Sequence, residues 1–154
     1  MKVKIKKLHP DAVVPKYAHD TDAGLDLVAT SKKVEDGCIV YGTGLAFEIP
    51  EGYVGLIFPR SSLAKKTLTL TNSVGVIDSG YRGEVTFKFR PLNSAGSYRG
   101  NIIVGMSGSN FEDYNIGDRI GQMIILPYPK IEFEEVDELS ESERGVGGYG
   151  STGA

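Results

Sequence analysis

Residues 75–84 have the sequence GVIDSGYRGE, which places one carboxylate and one aromatic side chain, Asp78 and Tyr81, three residues apart between glycines. The alternating run VTFKF follows at residues 85–89. This pattern predicts a strand, a tight turn and a second strand, with Gly80 free to adopt a positive φ in the turn. Such a turn would hold Asp78 and Tyr81 in place, although an ordinary β-hairpin with an exposed aspartate has the same pattern.

The composition favours a β-rich domain that has no general affinity for nucleic acid or membrane. The chain has 154 residues, of which 20 are glycine and 7 are proline, so many short strands joined by turns are expected in one domain. A net charge of −3 gives no broad attraction to nucleic acid or to anionic lipid. We expect a cytoplasmic location, because the lysine-rich start lacks a signal-peptide core and the single cysteine, Cys38, can form no internal disulfide. Cys38 itself is expected to be buried.

A carboxylate in the middle of a strand is the first candidate for a metal site. Leu25 and Leu27 alternate with Asp26, so Asp26 is predicted to lie on the opposite face of the strand from the leucines. Two interpretations stay open for this residue. It is either a solvated aspartate or an oxygen ligand of Mg²⁺, acting directly or through water.

A second candidate site follows the apolar run at residues 53–58. Arg60 offers a planar fork of donors, and Ser61 and Ser62 add hydroxyl groups at the start of a short helical turn. These groups suit an oligophosphate, although a capped short helix would have the same sequence. Arg119 and Gln122 are the polar exceptions in a later apolar strand, and each needs a partner if it is buried.

The last part of the chain is acidic and then glycine-rich. Ile131 and Phe133 predict a final strand, and residues 144–154 then read RGVGGYGSTGA, from which no core can be built. The segment is either a flexible tail or an expression remnant, or it is a phosphate cradle in which backbone N–H groups converge on an anion. It is not a Walker A loop, because the Gly-Lys-Ser/Thr ending is missing.

Taken together, these segments resemble the five motifs of the trimeric deoxyuridine triphosphatases (dUTPases). The motifs occur in order at residues 23–27, 59–64, 72–83, 117–122 and 144–153. The resemblance implies an all-β, jelly-roll-like β-barrel that forms a homotrimer with active sites shared between subunits. Residues 1–139 would form the β domain, and residues 140–154 a flexible tail that closes over the active site of a neighbouring subunit.

The resemblance also implies a reaction, the Mg²⁺-dependent hydrolysis of dUTP to dUMP and pyrophosphate. Neither nucleic acid nor membrane is expected as a partner. The reaction would keep uracil out of DNA and supply dUMP for dTMP synthesis. By motif position, Asp78 would be the base that activates the attacking water, Tyr81 would pack on the deoxyribose, and Asp26 would meet Mg²⁺ through water. The other residues implied in substrate binding are Arg60, Ser61, Ser62 and Gln122 for the phosphates; Asn72, Val76 and Ile77 for uracil; Arg144, Ser151 and Thr152 for the γ-phosphate; Tyr149 for stacking; and also Thr86 and Gly150.

Two alternatives and two departures from the family pattern accompany this interpretation. The dCTP deaminases resemble the chain at residues 59–62, but Lys88 stands where their deaminating glutamate should be, which argues against deamination. A non-catalytic nucleotide-binding regulator on the same scaffold is the other alternative, and the intact Asp78 argues against it. The first departure is Tyr149, which stands where the family usually has phenylalanine. The second is residues 94–111, a longer and more glycine-rich stretch than most members have, which is either an inert surface loop or a contact surface for a partner.

Overall fold

The protein is all-β, as predicted, in a computed structural model that describes residues 1–92, 97–99, 102–104 and 112–148. These residues form twelve strands and one short 3₁₀ helix, Ser61–Lys65. The strands are β1 (Lys4–Lys7), β2 (Leu25–Val28), β3 (Ser31–Glu35), β4 (Cys38–Gly42), β5 (Leu45–Glu48), β6 (Tyr53–Phe58), β7 (Leu68–Leu70), β8 (Gly75–Ile77), β9 (Thr86–Pro91), β10 (Ser97–Arg99), β11 (Ile102–Val104) and β12 (Arg119–Pro127).

Two four-stranded antiparallel sheets enclose the core. One has the strand order β2-β12-β6-β8 and the other has the order β3-β4-β9-β7, while β1-β5 and β10-β11 form two-stranded ladders. Strands of both sheets supply fully buried apolar side chains, including Leu27, Tyr41, Phe87 and Met123. Cys38 is buried as expected, with 2% of its surface exposed. This two-layer arrangement fits the jelly-roll-like fold.

The predicted hairpin around Gly80 is wrong, although both of its strands exist. β8 pairs with β6 in one sheet, whereas β9 pairs with β4 and β7 in the other, so residues 78–85 cross from sheet to sheet. Gly80 does not adopt a positive φ, and the turn closes through a hydrogen bond from Tyr81 N to Asp78 O of 3.0 Å. The alternating pattern identifies the strands, but the packing of each strand against the core determines which strand it pairs with.

A β-bulge in β12 places two polar side chains on the same face of the first sheet. Arg119 pairs with Val28 but Gly121 pairs with the next residue, Leu27, so Ile120 is the extra residue. In a regular strand, residues 119 and 122 would point to opposite faces. The extra residue reverses that relation, so Arg119 joins Gln122 on one face, and bulges commonly re-aim a side chain in this way.

After β12 the chain contains no further strand over residues 128–148, and most of these residues are exposed. The strand predicted at Ile131 and Phe133 is therefore wrong, since these side chains are 69% and 92% exposed and no strand in the described part of the chain pairs with them. Among the residues that the structure describes, no helix is long and apolar enough to cross a membrane.

Candidate active site

One polar cavity of about 440 Å³ lies where β2, β12 and the segment after β6 meet. We call it the two-arginine cavity. It is lined by Ala18, His19, Asp22, Ala23, Gly24, Asp26, Arg60, Ser61, Arg119 and Gln122. The sheet register explains this assembly, because Gln122 lies opposite both Asp26 of β2 and Phe58 of β6. Directly opposite residues share a face of a sheet.

Asp26 is held between the two arginines. Arg60 Nε donates to one carboxylate oxygen at 2.7 Å, and Arg119 Nη1 donates to the other at 3.1 Å. The side chains of Asp26 and Arg60 are 23% and 26% exposed, whereas that of Arg119 is 56% exposed. One carboxylate thus faces two guanidinium groups, and the second aspartate of the lining, Asp22, accepts the His19 N–H instead. The donors that the two guanidinium groups do not use on Asp26 suit an anionic ligand.

The arrangement around Asp26 fits Mg²⁺ bound through water better than Mg²⁺ bound directly. Each Asp26 oxygen already accepts one arginine donor, and within the described ranges no three His, Cys, Asp or Glu side chains form a metal-binding group. Mg²⁺ commonly keeps several waters and takes its remaining ligands from one or two carboxylates and from substrate phosphates. The free lone pairs of Asp26 can accept hydrogen bonds from such waters.

The two serines of the second motif point in different directions. Ser61 is exposed and lines the two-arginine cavity. Ser62 lies outside the residues that line this cavity, and its buried Oγ lies beside the buried hydroxyl of Tyr114. Ser61 is therefore placed to offer its hydroxyl to a ligand, whereas the hydroxyl of Ser62 faces the protein interior.

A second, smaller cavity of about 170 Å³ lies beside β8, and we call it the β8 cavity. Its lining residues are Ile57, Asn72, Gly75, Val76, Ile77, Asp78, Tyr81, Glu84 and Thr86. The five residues that the resemblance assigned to base, sugar and water therefore meet here, namely Asn72, Val76, Ile77, Asp78 and Tyr81, and Thr86, which was named without a role, lies beside them.

The Tyr81 ring is fixed by two local contacts. Its hydroxyl donates to Glu84 O at 3.0 Å, so the ring folds back along its own chain. A Cβ added to Gly83 would collide with the Tyr81 hydroxyl and ring carbons, whereas a Cβ on Gly80 would meet nothing within 4 Å. A side chain at position 83 would therefore displace the Tyr81 ring, whereas one at position 80 would not.

Asp78 differs from Asp26 in that its carboxylate is exposed and unpaired. Among the described residues, no donor lies within hydrogen-bond distance of its side-chain oxygens. Glu84, the other acid of the β8 cavity, accepts the N–H of Gly44 at 2.7 Å. Asp78 is thus the carboxylate of this cavity that is free to accept a proton from a water molecule.

The two cavities of one chain lie toward opposite ends of β6. Ile77 of β8 lies opposite Gly55 of β6, so Asp78 follows at that end, whereas Arg60 comes after the other end of β6. Five residues of extended chain from Gly55 to Arg60 amount to about 16 Å. A general base must reach its proton directly or through one water. Asp78 is therefore too far from the two-arginine cavity of its own chain to act on a ligand atom bound there.

The remaining predicted residues belong to the C-terminal segment. Arg144 is exposed, and its Nε donates to Gly147 O at 2.9 Å within a local turn. It lies away from the residues that line either cavity. Tyr149, Gly150, Ser151 and Thr152 lie outside the described residues, as does most of the 94–111 stretch.

Sequence reasoning missed several residues of the two cavities. Arg119 was noted as polar but was not assigned to the site, and the bulge that aims it cannot be found from the pattern of apolar residues. His19 and Asp22 also line the two-arginine cavity, where His19 N–H donates to Asp22 Oδ2 at 2.9 Å. Aspartate is common in turns because its carboxylate can accept a nearby backbone N–H, so this contact could have been found.

The fold and the two cavities define a class of all-β protein in which arginines can hold an anionic ligand and a second cavity presents a free carboxylate. Comparison with known proteins shows which family of this class the chain belongs to. The dUTPase family model matches residues 11–153. The deoxyuridine 5'-triphosphate nucleotidohydrolase of Clostridium tetani is 43% identical, over 98% of this chain and 96% of its own length.

Solved structures agree with the sequence comparison. The dUTPase of Staphylococcus bacteriophage 80alpha, solved with dUpNHpp, has a TM-score of 0.79 at 30% identity and covers 99% of both chains. A mutant dUTPase from phage phi11 of S. aureus, in which a structural Mg(II) ion is coordinated, has a TM-score of 0.71 at 29% identity over 90% of this chain and 98% of that one. The chain belongs to the dUTPase family, as the five motifs predicted.

Proposed function

We propose that the protein hydrolyses dUTP to dUMP and pyrophosphate, with Asp78 as the base for the attacking water. The observation that carries the proposal is the division of charge between the cavities. Two guanidinium groups contact the partly buried carboxylate of Asp26, whereas the exposed carboxylate of Asp78 has no partner among the described residues. The paired arginines suit the binding of a charged ligand, and the unpaired carboxylate suits a base that activates water.

The triphosphate would bind in the two-arginine cavity. Arg60 and Arg119 supply two positive charges there, and Ser61 and Gln122 supply neutral donors. Gln122 Nε2 donates to Pro59 O at 3.1 Å, which orients the amide beside Arg60. Little covalent chemistry is required of the protein in phosphoryl transfer, so positioning and charge stabilisation by these groups account for most of the catalysis.

Mg²⁺ is the proposed cofactor. It would be held by substrate phosphates and by water molecules that donate hydrogen bonds to Asp26. When bound, it would neutralise phosphate charge and polarise the phosphoryl oxygens. The role of Asp26 in the absence of the ion is to hold Arg60 and Arg119 in position, so that both donors stand ready for phosphate oxygens.

The nucleoside would bind in the β8 cavity. Tyr81 would pack against the deoxyribose in the position set by its bond to Glu84, leaving no room for a 2′-hydroxyl, while Asn72 and the backbone of Val76 and Ile77 would pair with uracil. Asp78 would accept a proton from the water that attacks the α-phosphate. Thr86 lines the same cavity and is a further candidate contact.

A shared site in a homotrimer would bring the two cavities together. Because Asp78 and Arg60 lie beyond opposite ends of β6 within one chain, the two-arginine cavity of one subunit would face the β8 cavity of another. Residues 140–154 would then close over the site, with Arg144, Ser151 and Thr152 on the γ-phosphate, Gly150 beside them and Tyr149 on the base. A closing segment of this kind excludes water and completes the set of contacts.

The test is pyrophosphate release from dUTP, dTTP, dCTP and UTP, measured side by side with Mg²⁺. We expect release from dUTP and not from the other three. Binding of dUTP without release would overturn the catalytic proposal in favour of the non-catalytic regulator. Comparable release from dUTP and dCTP would overturn the proposed pairing of Asn72 with uracil.

A further inference from the structure

Arg82 makes an unusual pair of contacts beside the proposed base. Its Nη1 donates to Ser79 O at 2.6 Å and to Tyr81 O at 2.9 Å. One guanidinium nitrogen therefore bridges two carbonyl groups of the turn that carries Asp78. Hydrogen bonds from an ionised donor are roughly twice as strong as neutral ones, so this bridge constrains the turn more than ordinary backbone bonds do.

The turn has few other constraints. Gly80 has no neighbour within 4 Å of a hypothetical Cβ, and the Asp78 carboxylate has no donor among the described residues. Apart from the Arg82 bridge, the described residues hold residues 78–81 by the bond from Tyr81 N to Asp78 O and by the bond from the Tyr81 hydroxyl to Glu84 O. The direction of the Asp78 side chain therefore depends on the path of the main chain.

Arg82 lies on the other side of the turn from the substrate-facing residues. Asp78 and Tyr81 line the β8 cavity, whereas Ser79, Gly80 and Arg82 line a different cavity of about 450 Å³ together with Lys4 and Glu48. Lys4 donates to Glu48 at 2.7 Å and lowers the pKa of that carboxyl, and Arg82 lowers it further, which places the guanidinium near the β1-β5 ladder. The Arg82 guanidinium thus lies between the turn and the β1-β5 ladder, while both of its hydrogen bonds go to the turn.

We propose that Arg82 is a positioning residue that fixes the main chain between Asp78 and Tyr81 and thereby aims the Asp78 carboxylate at the attacking water. Arg82 does not itself touch the nucleotide in this role. The inference rests on the proposed dUTP hydrolysis and adds to it the group that keeps the base in its working position. A displacement of about 1 Å in a catalytic group can lower a rate about a hundredfold.

The experiment compares Arg82→Ala with Arg90→Ala in the full-length protein. Arg90 is an exposed arginine of β9 whose side chain makes no hydrogen bond or ion pair to the part of the chain that the structure describes, so it controls for the loss of a surface charge. We expect Arg82→Ala to lower kcat for dUTP about ten- to hundredfold, with KM within about threefold of the unmodified value. Arg90→Ala should change neither.

A double-mutant cycle distinguishes positioning from a general structural role. In an Asp78→Asn background the base is already lost, so adding Arg82→Ala should lower single-turnover rates by less than about twofold. An equal loss in both backgrounds would overturn the inference, because Arg82 would then act independently of Asp78. Full kcat in Arg82→Ala would overturn it as well.

Arg82→Lys is the second variant, and it carries the test if Arg82→Ala lowers the Tm or alters the oligomer. Lysine keeps the charge and can donate to a carbonyl, so we expect a kcat between those of Arg82→Ala and the unmodified protein. A kcat as low as that of a well-folded, inactive Asp78→Asn variant would contradict the positioning role. Failure of the unmodified protein to release pyrophosphate from dUTP would instead overturn the proposed function itself.

Discussion

The two cavities hold their carboxylates in opposite ways. Asp26 lies between two arginines on paired strands, whereas Asp78 is exposed, unpaired among the described residues, and carried on a turn that crosses from one sheet to the other. A group that orients a charged ligand can be fixed in advance by opposite charges. A base must keep its lone pairs available, so its position has to come from the backbone around it.

The largest effect should follow removal of the unpaired carboxylate. Asp78→Asn keeps the shape of the side chain but cannot accept a proton at neutral pH, and general-base catalysis contributes about 10²- to 10⁴-fold. We expect kcat to fall by about that factor, while the Kd for the imido analogue dUpNHpp stays within about tenfold. Steady-state pyrophosphate release and calorimetric binding measure the two quantities. Retention of most activity would show that Asp78 is not the base.

A deletion of residues 144–154 tests whether the two cavities suffice without the C-terminal segment. These residues include no part of the described core. We expect most turnover to be lost, about a hundredfold, because lid closure completes the contacts and excludes water. The oligomer should be unchanged in size-exclusion chromatography with light scattering. Loss of the oligomer would assign a structural role to the segment instead.

The two arginines should differ in importance although both contact Asp26. Arg60 is the more enclosed of the two, so Arg60→Gln should lower kcat/KM for dUTP by about ten- to hundredfold, the loss expected for a hydrogen bond to a charged group. Arg119→Gln should lower it less, because that side chain is 56% exposed and solvent screens its charge. Equal losses would show that the solvent exposure of the free chain does not persist in the working assembly.

The smallest effect concerns discrimination against the ribonucleotide. Gly83→Ala would push the Tyr81 ring from its place, whereas Gly80→Ala has open space around it. We expect Gly83→Ala to reduce the preference for dUTP over UTP by about tenfold, since rejection of one added hydroxyl by an apolar wall is at most about a hundredfold. Gly80→Ala should retain the preference. The ratio of kcat/KM for the two nucleotides gives the answer.

Much of the site was predictable because its chemistry is local in sequence. Except for Ile57, the residues of the β8 cavity lie within 72–86, so one short segment supplies nearly all of them. Arg119 was harder to assign, because a single extra residue in β12 determines which face it joins. The hairpin was wrong for a related reason: the partners of β8 and β9 are far away in sequence, and core packing selects them.

Ser62 shows the same limit at the scale of one side chain. The sequence grouped it with Arg60 and Ser61 as a phosphate ligand, yet its hydroxyl is buried away from the two-arginine cavity. Neighbouring residues in a 3₁₀ turn point in different directions, since each step rotates the chain by about a third of a turn. Composition alone does not tell which of two adjacent serines faces the ligand.

The separation of the two cavities also has a genetic consequence. If each site takes arginines from one subunit and the base from another, then a chain that lacks Arg60 and a chain that lacks Asp78 are defective in different halves of the site. Mixed assemblies of the two would contain sites in which both halves are intact. Two alleles that are each inactive alone should therefore complement one another when they are expressed in the same cell.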